Sequence, residues 1–400
     1  MVESPPRQQA GLSAFQHRES SMVWRWKVAV VGIALFSTLP VQAAPDATNI
    51  DPRVSQLGDD CFEARQAATR SLVQQGLSAQ PVLESAEKHP DPEVRRRARQ
   101  ILTTVREQDY RARLSAFEAD PQGRQNHHLP GWDRFRTLVG ESTADRKMFV
   151  LMHRNESSLL TACEGEFPRL AKQLEVRCQE LQSLLYTGDD QELTLGTAAA
   201  FYFLAADARV PLSEVASSQI CNLFNYRPAV QQAMSAGEYS QPIRKLLGAW
   251  VARDVEPMVA NQHFVMALQY NLKEALDPAL RLLKSPGADA QVRQYAMHVV
   301  GRFGSKEHLP TLAPLLEDKA VVMTFEVKPG KTSEVQIRDI ALGFSLHLAG
   351  QPPAEYGFSQ PQKQGQWVYM PGTLRFNETT ARDAAFKKWA TWSAAHPAGK

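Results

Sequence analysis

The chain has 400 residues, 43% hydrophobic and 22% charged, with a formal charge of +2. That composition excludes a disordered chain, and the balanced charge lacks the basic excess typical of a nucleic-acid binder. A single core rarely grows past roughly 250–300 residues, so several domains or an elongated stack of small units is expected.

In chain order, the first signal is an address. Arg25 and Lys27 precede the apolar run Val28 to Phe36, and "STLPVQA" follows, with Val41-Gln42-Ala43 fitting the small-x-small rule of a cleavage site. Basic, apolar and small-residue regions in that order make a secretory signal peptide over residues 1–43, too short for an ordinary membrane span of about 20 apolar residues. The polar stretch before Met22 fits poorly, and a start at Met22 gives a leader of conventional length. An uncleaved leader would be the chain's one route to a membrane. Residues 44–58 read as a linker, and the expected location is exported, periplasmic or extracellular.

A repeat follows. "EARQAATRSL" from Glu63, "EVRRRARQIL" from Glu93, "QVRQYAMHVV" from Gln291 and "QIRDIALGFS" from Gln336 share a polar residue, an apolar residue, an arginine, two variable positions and an alanine. Val94, Ala98, Ile101, Leu102 and Val105 fall at helical spacing, as do Val292, Ala296, Val299, Val300 and Phe303, so each copy predicts a helix with one apolar stripe. The alanines, Ala68, Ala98, Ala296 and Ala341, sit mid-stripe, where a small side chain lets a neighbouring helix come close. Asp91-Pro92 and Asp289 mark helix starts, and Gly76, Gly301 and Gly304 are candidate stops. Partner helices are expected over Ala79 to Lys88 and Leu309 to Leu316. Helix, turn, second helix and a period of 30–45 residues together read as an α-solenoid.

The blocks are residues 59–108 and 261–349 as repeats and 109–260 as a helical middle, either degenerate repeats or a separate module. In that middle, Phe167, Leu170, Leu174, Cys178, Leu181 and Leu185 form a stripe. "LGTAAAFYFLAAD" from Leu195 is apolar all round and predicts a buried central helix. "VANQHFVMALQYNLKEAL" is another amphipathic candidate. Residues 321–335 interrupt the last repeat: Val321 to Val327 is β-prone and Pro329-Gly330 is a turn signal, so a short hairpin or long loop is expected. Residues 350–400 read as a Pro/Gly-rich arm and a C-terminal helical cap.

These "E/Q-Φ-R-x-x-A" helices, with "DPEVRRRARQIL" the clearest, resemble HEAT repeats, and the chain as a whole resembles exported bacterial HEAT-repeat proteins over 59–106 and 275–349. The resemblance implies an all-α, HEAT-like, armadillo-like α-solenoid, a right-handed superhelix of helical hairpins. It also implies that Arg65, Arg95, Arg293 and Arg338 order a ladder of polar contacts between repeats.

Chemistry-bearing patterns are sparse. There is no P-loop, dinucleotide fingerprint, G-x-S-x-G elbow or H-E-x-x-H spacing. His127 and His128 are adjacent and cannot face one metal from a helix. His153 with Glu156 and Glu164 is the best local cluster of metal-capable groups, and solvated polar residues near a turn account for it better. Glu164 with Glu166, and Asp189 with Asp190, read as loop residues. Cys163 and Cys178 could bridge in an oxidising compartment, or Cys178 and Cys221 could pack as free thiols, with Cys61 the fourth. "RRRAR" at Arg95–Arg99 and the pair Lys387-Lys388 read as solvated faces, or as surfaces for an acidic partner. Catalytic, cofactor and metal residues are expected to be none. The expected function is a non-catalytic scaffold holding protein partners, not nucleic acid. Trp132, Phe135, Trp389 and Trp392 are its candidate contacts, each with core packing as the alternative. The competing reading is an envelope-associated enzyme, or accessory subunit, acting on cell-envelope polymers through a site assembled from distant residues.

Overall fold

In the computed structural model, residues 51–188, 191–254, 256–285, 287–359, 361–363 and 365–396 are described. The leader, with its Met22 start, residues 44–50 of the linker, and Asp189-Asp190 lie outside them. The described residues are mostly helical, with one two-stranded sheet.

Within the stretch read as linker lies a short helix, α1 (Pro52–Gln56), and the repeat segments near the N-terminus form α2 (Phe62–Gln75), α3 (Gln80–Ala86) and α4 (Pro92–Glu118). The middle comprises α5 (Trp132–Leu138), α6 (Thr143–Ala162), α7 (Phe167–Thr187), α8 (Leu195–Ala205), α9 (Glu214–Phe224), α10 (Pro228–Ser235), α11 (Ser240–Val251) and α12 (Pro257–Tyr270). There follow α13 (Leu276–Lys284), α14 (Ala290–Phe303), α15 (Leu309–Leu312), the strands β1 (Val321–Lys328) and β2 (Lys331–Gln336), α16 (Ile337–Ala349) and α17 (Thr379–Ala395).

All four repeat segments are helical, in α2, α4, α14 and α16, and Ala68, Ala98, Ala296 and Ala341 are buried in each. Asp91 and Asp289 cap α4 and α14, accepting from the Glu93 and Gln291 amides at 2.8 and 2.7 Å. α4 runs well past its repeat. No glycine or proline interrupts residues 93–120, so nothing stops the helix before Ala119. Its first half packs on α2 and α3, its second half on α6. It thereby connects two separate apolar cores, a small one from Val54 to Val105 and a large one from Leu114 to Trp389.

Gly76 ends α2 at positive φ, as a helix stop should, but Gly301 lies inside α14. A Cβ on Gly301 would fall 2.1 Å from Phe344 Cδ1, so this glycine is a seam where α16 presses against α14. At the centre of the large core, Gly196 to Ala205 of α8 are all buried, beneath α6 and α11.

β1 and β2 pair antiparallel through the two-residue turn Pro329-Gly330. Proline's fixed φ and a glycine at +75° suit so tight a turn. The hairpin is spliced into the start of α16. The Ile337 and Arg338 amides donate to the Ala320 and Asp318 carbonyls at 2.9 and 2.8 Å, so residues before the insertion still complete the helix start after it. The C-terminal arm is locked down by a buried ion pair. Arg382 of α17 bonds both Asp339 carboxylate oxygens, at 2.8 and 3.0 Å, and the Glu334 carbonyl at 2.8 Å. Asp339 is 0% exposed, and burial raises its carboxyl pKa against the pull of Arg382.

Candidate partner-contact sites

The four repeat arginines do two different jobs. Arg65 donates to the Asp59 and Asp60 carbonyls at 2.5 and 2.9 Å, and Arg95 to the His89 and Pro90 carbonyls at 2.7 Å each. In both copies the arginine reaches back to the same two positions of the turn before its own helix, so it braces that turn rather than a neighbouring repeat. Arg293 reaches forward, pairing with Asp318 ahead of the hairpin. The Asp318 carbonyl in turn takes the Arg338 amide, which makes one rung between the last two copies. The Arg338 side chain bonds Gln336 at 2.7 Å and lies 5.6 Å from the Phe386 ring.

The tryptophan pairs separate likewise. Trp132 and Phe135 share one face of α5, stacked with ring centroids 6.0 Å apart. Phe135, at 0% exposed, is enclosed by Phe149 and Phe203 and is a packing residue with no face for a partner. Trp132 is half-buried, edge-on to Phe117 and Phe149, and also lines a cleft of about 560 Å³. In α17, Trp389 is buried against the core while Trp392 is half-buried. Trp389, Trp392 and His396 form a continuous stack with spacings of 5.2 and 4.5 Å. Trp132 and Trp392 thus remain available for contact, and Phe135 and Trp389 do not.

The metal-capable cluster disperses. His153 is buried, with its Nδ1 on the Tyr110 hydroxyl and its ring 4.3 Å from Phe149. Burial holds its pKa down at about 3. Glu156 turns away to Arg177, which also pairs with Glu180 and Glu192 at 3.2 and 2.7 Å. Among the described residues no group of three His, Cys, Asp or Glu side chains is placed to hold a metal ion, and no helix is long and apolar enough to cross a membrane. Cys61, Cys163, Cys178 and Cys221 are free, and burial pushes the Cys163 and Cys178 thiols up to about 11 and 12.

Two arrangements carry no local sequence signature. The first is at Glu156, where α6 leaves helical geometry (φ −133°, ψ 46°) and turns a carboxylate into the interior. Burial raises its pKa, opposed by hydrogen bonds from Arg177. Glu156 and Arg177 line an open groove of about 600 Å³ between α6 and α7, with Arg169 and Lys172. The second closes the C-terminal end of α8, whose carbonyls are buried and need donors. Arg134 donates to the Phe203 carbonyl, and Arg253 to the Ala205 and Val210 carbonyls at 2.8 and 2.7 Å. Asp207 joins Arg134 and Arg209 at 3.2 and 2.8 Å, and the Arg209 hydrogen bond lowers its carboxyl pKa. Two cations at a helix C-terminus also suit the negative end of its dipole.

No family model matches the chain, and no match was found among curated proteins.

Proposed function

We propose that the protein is a non-catalytic scaffold, a HEAT-like, right-handed α-solenoid exported from the cytoplasm to hold protein partners on its helical surface. The observation that carries the solenoid is the recurrence, in α2 and α4, of one arginine contacting the same two carbonyls before its helix, with the same alanine buried four residues beyond the apolar position. Local geometry repeated at that level supports one structural unit copied along the chain. The contact role rests on Trp132 and Trp392, each half-buried and each continuing an aromatic stack toward the surface. Tryptophan so placed suits a hot spot. Export rests on the leader.

Affinity capture from the envelope fraction tests the reading. Trp132→Ala with Trp392→Ala should reduce partner recovery about tenfold, a loss typical of one hot spot, with the circular dichroism spectrum unchanged. Loss of helicity in that variant, or full recovery, would refute the contact assignment. Intact mass of the exported protein checks the leader: a mature start upstream of Val28 contradicts cleavage.

A second reading, an enzyme acting on envelope polymers, has one observation in its favour, the buried Glu156 with its raised carboxyl beside a cationic groove. Turnover of any such polymer that disappears in Glu156→Gln would support it.

A further inference from the structure

The cleft beside Trp132 contains a buried cation that, among the described residues, has no acidic partner within 4 Å. Arg146, from the first turn of α6, is 5% exposed. Its guanidinium carbon lies 3.7 Å from the Phe117 ring centroid and 5.1 Å from that of Trp132, so it rests on the Phe117 face with Trp132 beside it. One Nη donates to the Phe117 carbonyl at 3.1 Å, and Nε has no partner. Among the described residues Arg146 makes no ion pair. The nearest acids that influence it are Asp120 and Glu141. Asp120 is already engaged, accepting from the Arg124 and Gln125 amides at 3.1 and 2.9 Å and facing His127 Nε2 at 3.2 Å. A desolvated charge left unpaired is unfavourable, and an anion entering the cleft would relieve it.

The surroundings fit that anion. Arg124 and Arg136 stand exposed on the rim, and Ser142 and Thr143 at the start of α6 form part of the wall, where the Asp145 carboxylate already accepts from the Ser142 amide and hydroxyl at 2.9 and 2.7 Å. The acids of the lining are Glu141 and Asp133, and Asp133 pairs with Arg136 at 3.1 Å on the exposed rim, so an entering anion competes with it for that arginine. Gly123 adopts φ +64°, and a Cβ there would sit 3.2 Å from Arg146 Nη1, so a bare backbone keeps space open over the guanidinium.

We propose that this cleft binds an oxyanion group, a carboxylate or phosphate, with Arg146 as its floor and Arg124 and Arg136 as its rim. Arg146 offers the anion its Nη1, since its other Nη is held by the Phe117 carbonyl, and the exposed Arg124 fork can pair with either group in two-point geometry, which a lysine cannot reproduce. The proposal does not depend on the scaffold reading, since it concerns a ligand group and not a partner.

Isothermal titration of the whole chain with inorganic phosphate, and separately with an oligoglutamate peptide, provides the test. Saturable binding of at least one is expected, weakened about tenfold or more in Arg124→Gln/Arg136→Gln, whose exposed side chains leave the fold untouched. Arg146→Lys, which retains the charge and loses the Nη1 donor facing the cleft, should also weaken binding. Phosphate binding alone assigns a phosphate group, and oligoglutamate binding alone an acidic segment. Absence of saturable binding by both, or unchanged affinity in the rim variant, overturns the proposal.

Discussion

Three histidines, His153, His263 and His298, are buried in the large core, and desolvation is the main cause that lowers each. Their pKa values are about 3, 3 and 4, against about 6.5 for an exposed imidazole. The unfolded chain therefore takes up protons first as pH falls. Stability is full above about pH 6.5 and declines toward pH 4, each histidine removing up to ~1.4 kcal/mol per pH unit. Asp120, held at about 2 chiefly by backbone hydrogen bonds, and Asp207 act in a more acidic window, while the raised carboxyls of Glu156 and Asp339 gain protons first in the fold and act in the opposite sense, so the loss of stability on the upper acid limb comes from the histidines. His263 is the cleanest probe because neither ring nitrogen has a partner. Urea melts between pH 7 and pH 4 should show a shallower decline for His263→Phe, with neutral-pH stability retained, since no made hydrogen bond is lost. An equally steep decline would show that His263 is not a buried neutral group. None of these environments is legible in the sequence. A histidine's burial depends on what lies above it, and Phe135 makes the same point against Trp132, three residues away on one helical face and enclosed where its neighbour is not.

Among the elements, α14 and α16 define the tightest seam. Gly301 and Phe344 interlock there, while Gly343 on α16 leaves room for Leu374 of the arm, 2.6 Å from where a Cβ would stand. Gly301→Ala should destabilise by ~1–3 kcal/mol through overpacking, read as a lower urea midpoint with unchanged slope. A neutral result would show that Phe344 has another place to go. Much at this scale was legible. Asp91 and Asp289 announced their caps, Pro329-Gly330 announced the hairpin turn, and the uninterrupted apolar run from Leu195 announced a buried helix. What spacing could not announce was any bond between remote positions. The pair of Arg382 with Asp339 spans 43 residues, and the donors that close α8 come from α5 and from the residues just past α11. Around Glu156 the weak helix formers Asn155, Ser157 and Ser158 permit a break in α6, but no glycine or proline fixes it at that residue. The length of α4 was readable in principle, from the want of any glycine or proline before Pro121.

For the whole molecule, the division of apolar packing into two cores carries the main consequence. The small core draws on residues between Val54 and Val105, whereas the large one gathers side chains from α4 through α17. Fewer buried contacts sustain a lower opening free energy. Amide hydrogen exchange should therefore be faster over 54–105 than over 195–270, and the boundary should fall within α4, the element shared by both. Uniform protection across that boundary would show that the two cores open together. The hairpin introduces a further property. Because Ala320 and Asp318 already hand over to Ile337 and Arg338, the segment between them is an excursion that departs and returns at one place on the backbone. Residues added at its Pro329-Gly330 tip would leave that hand-over intact and disturb only the exposed Lys331–Glu378 pair, so a grafted epitope there should be tolerated while the architecture stays as it is.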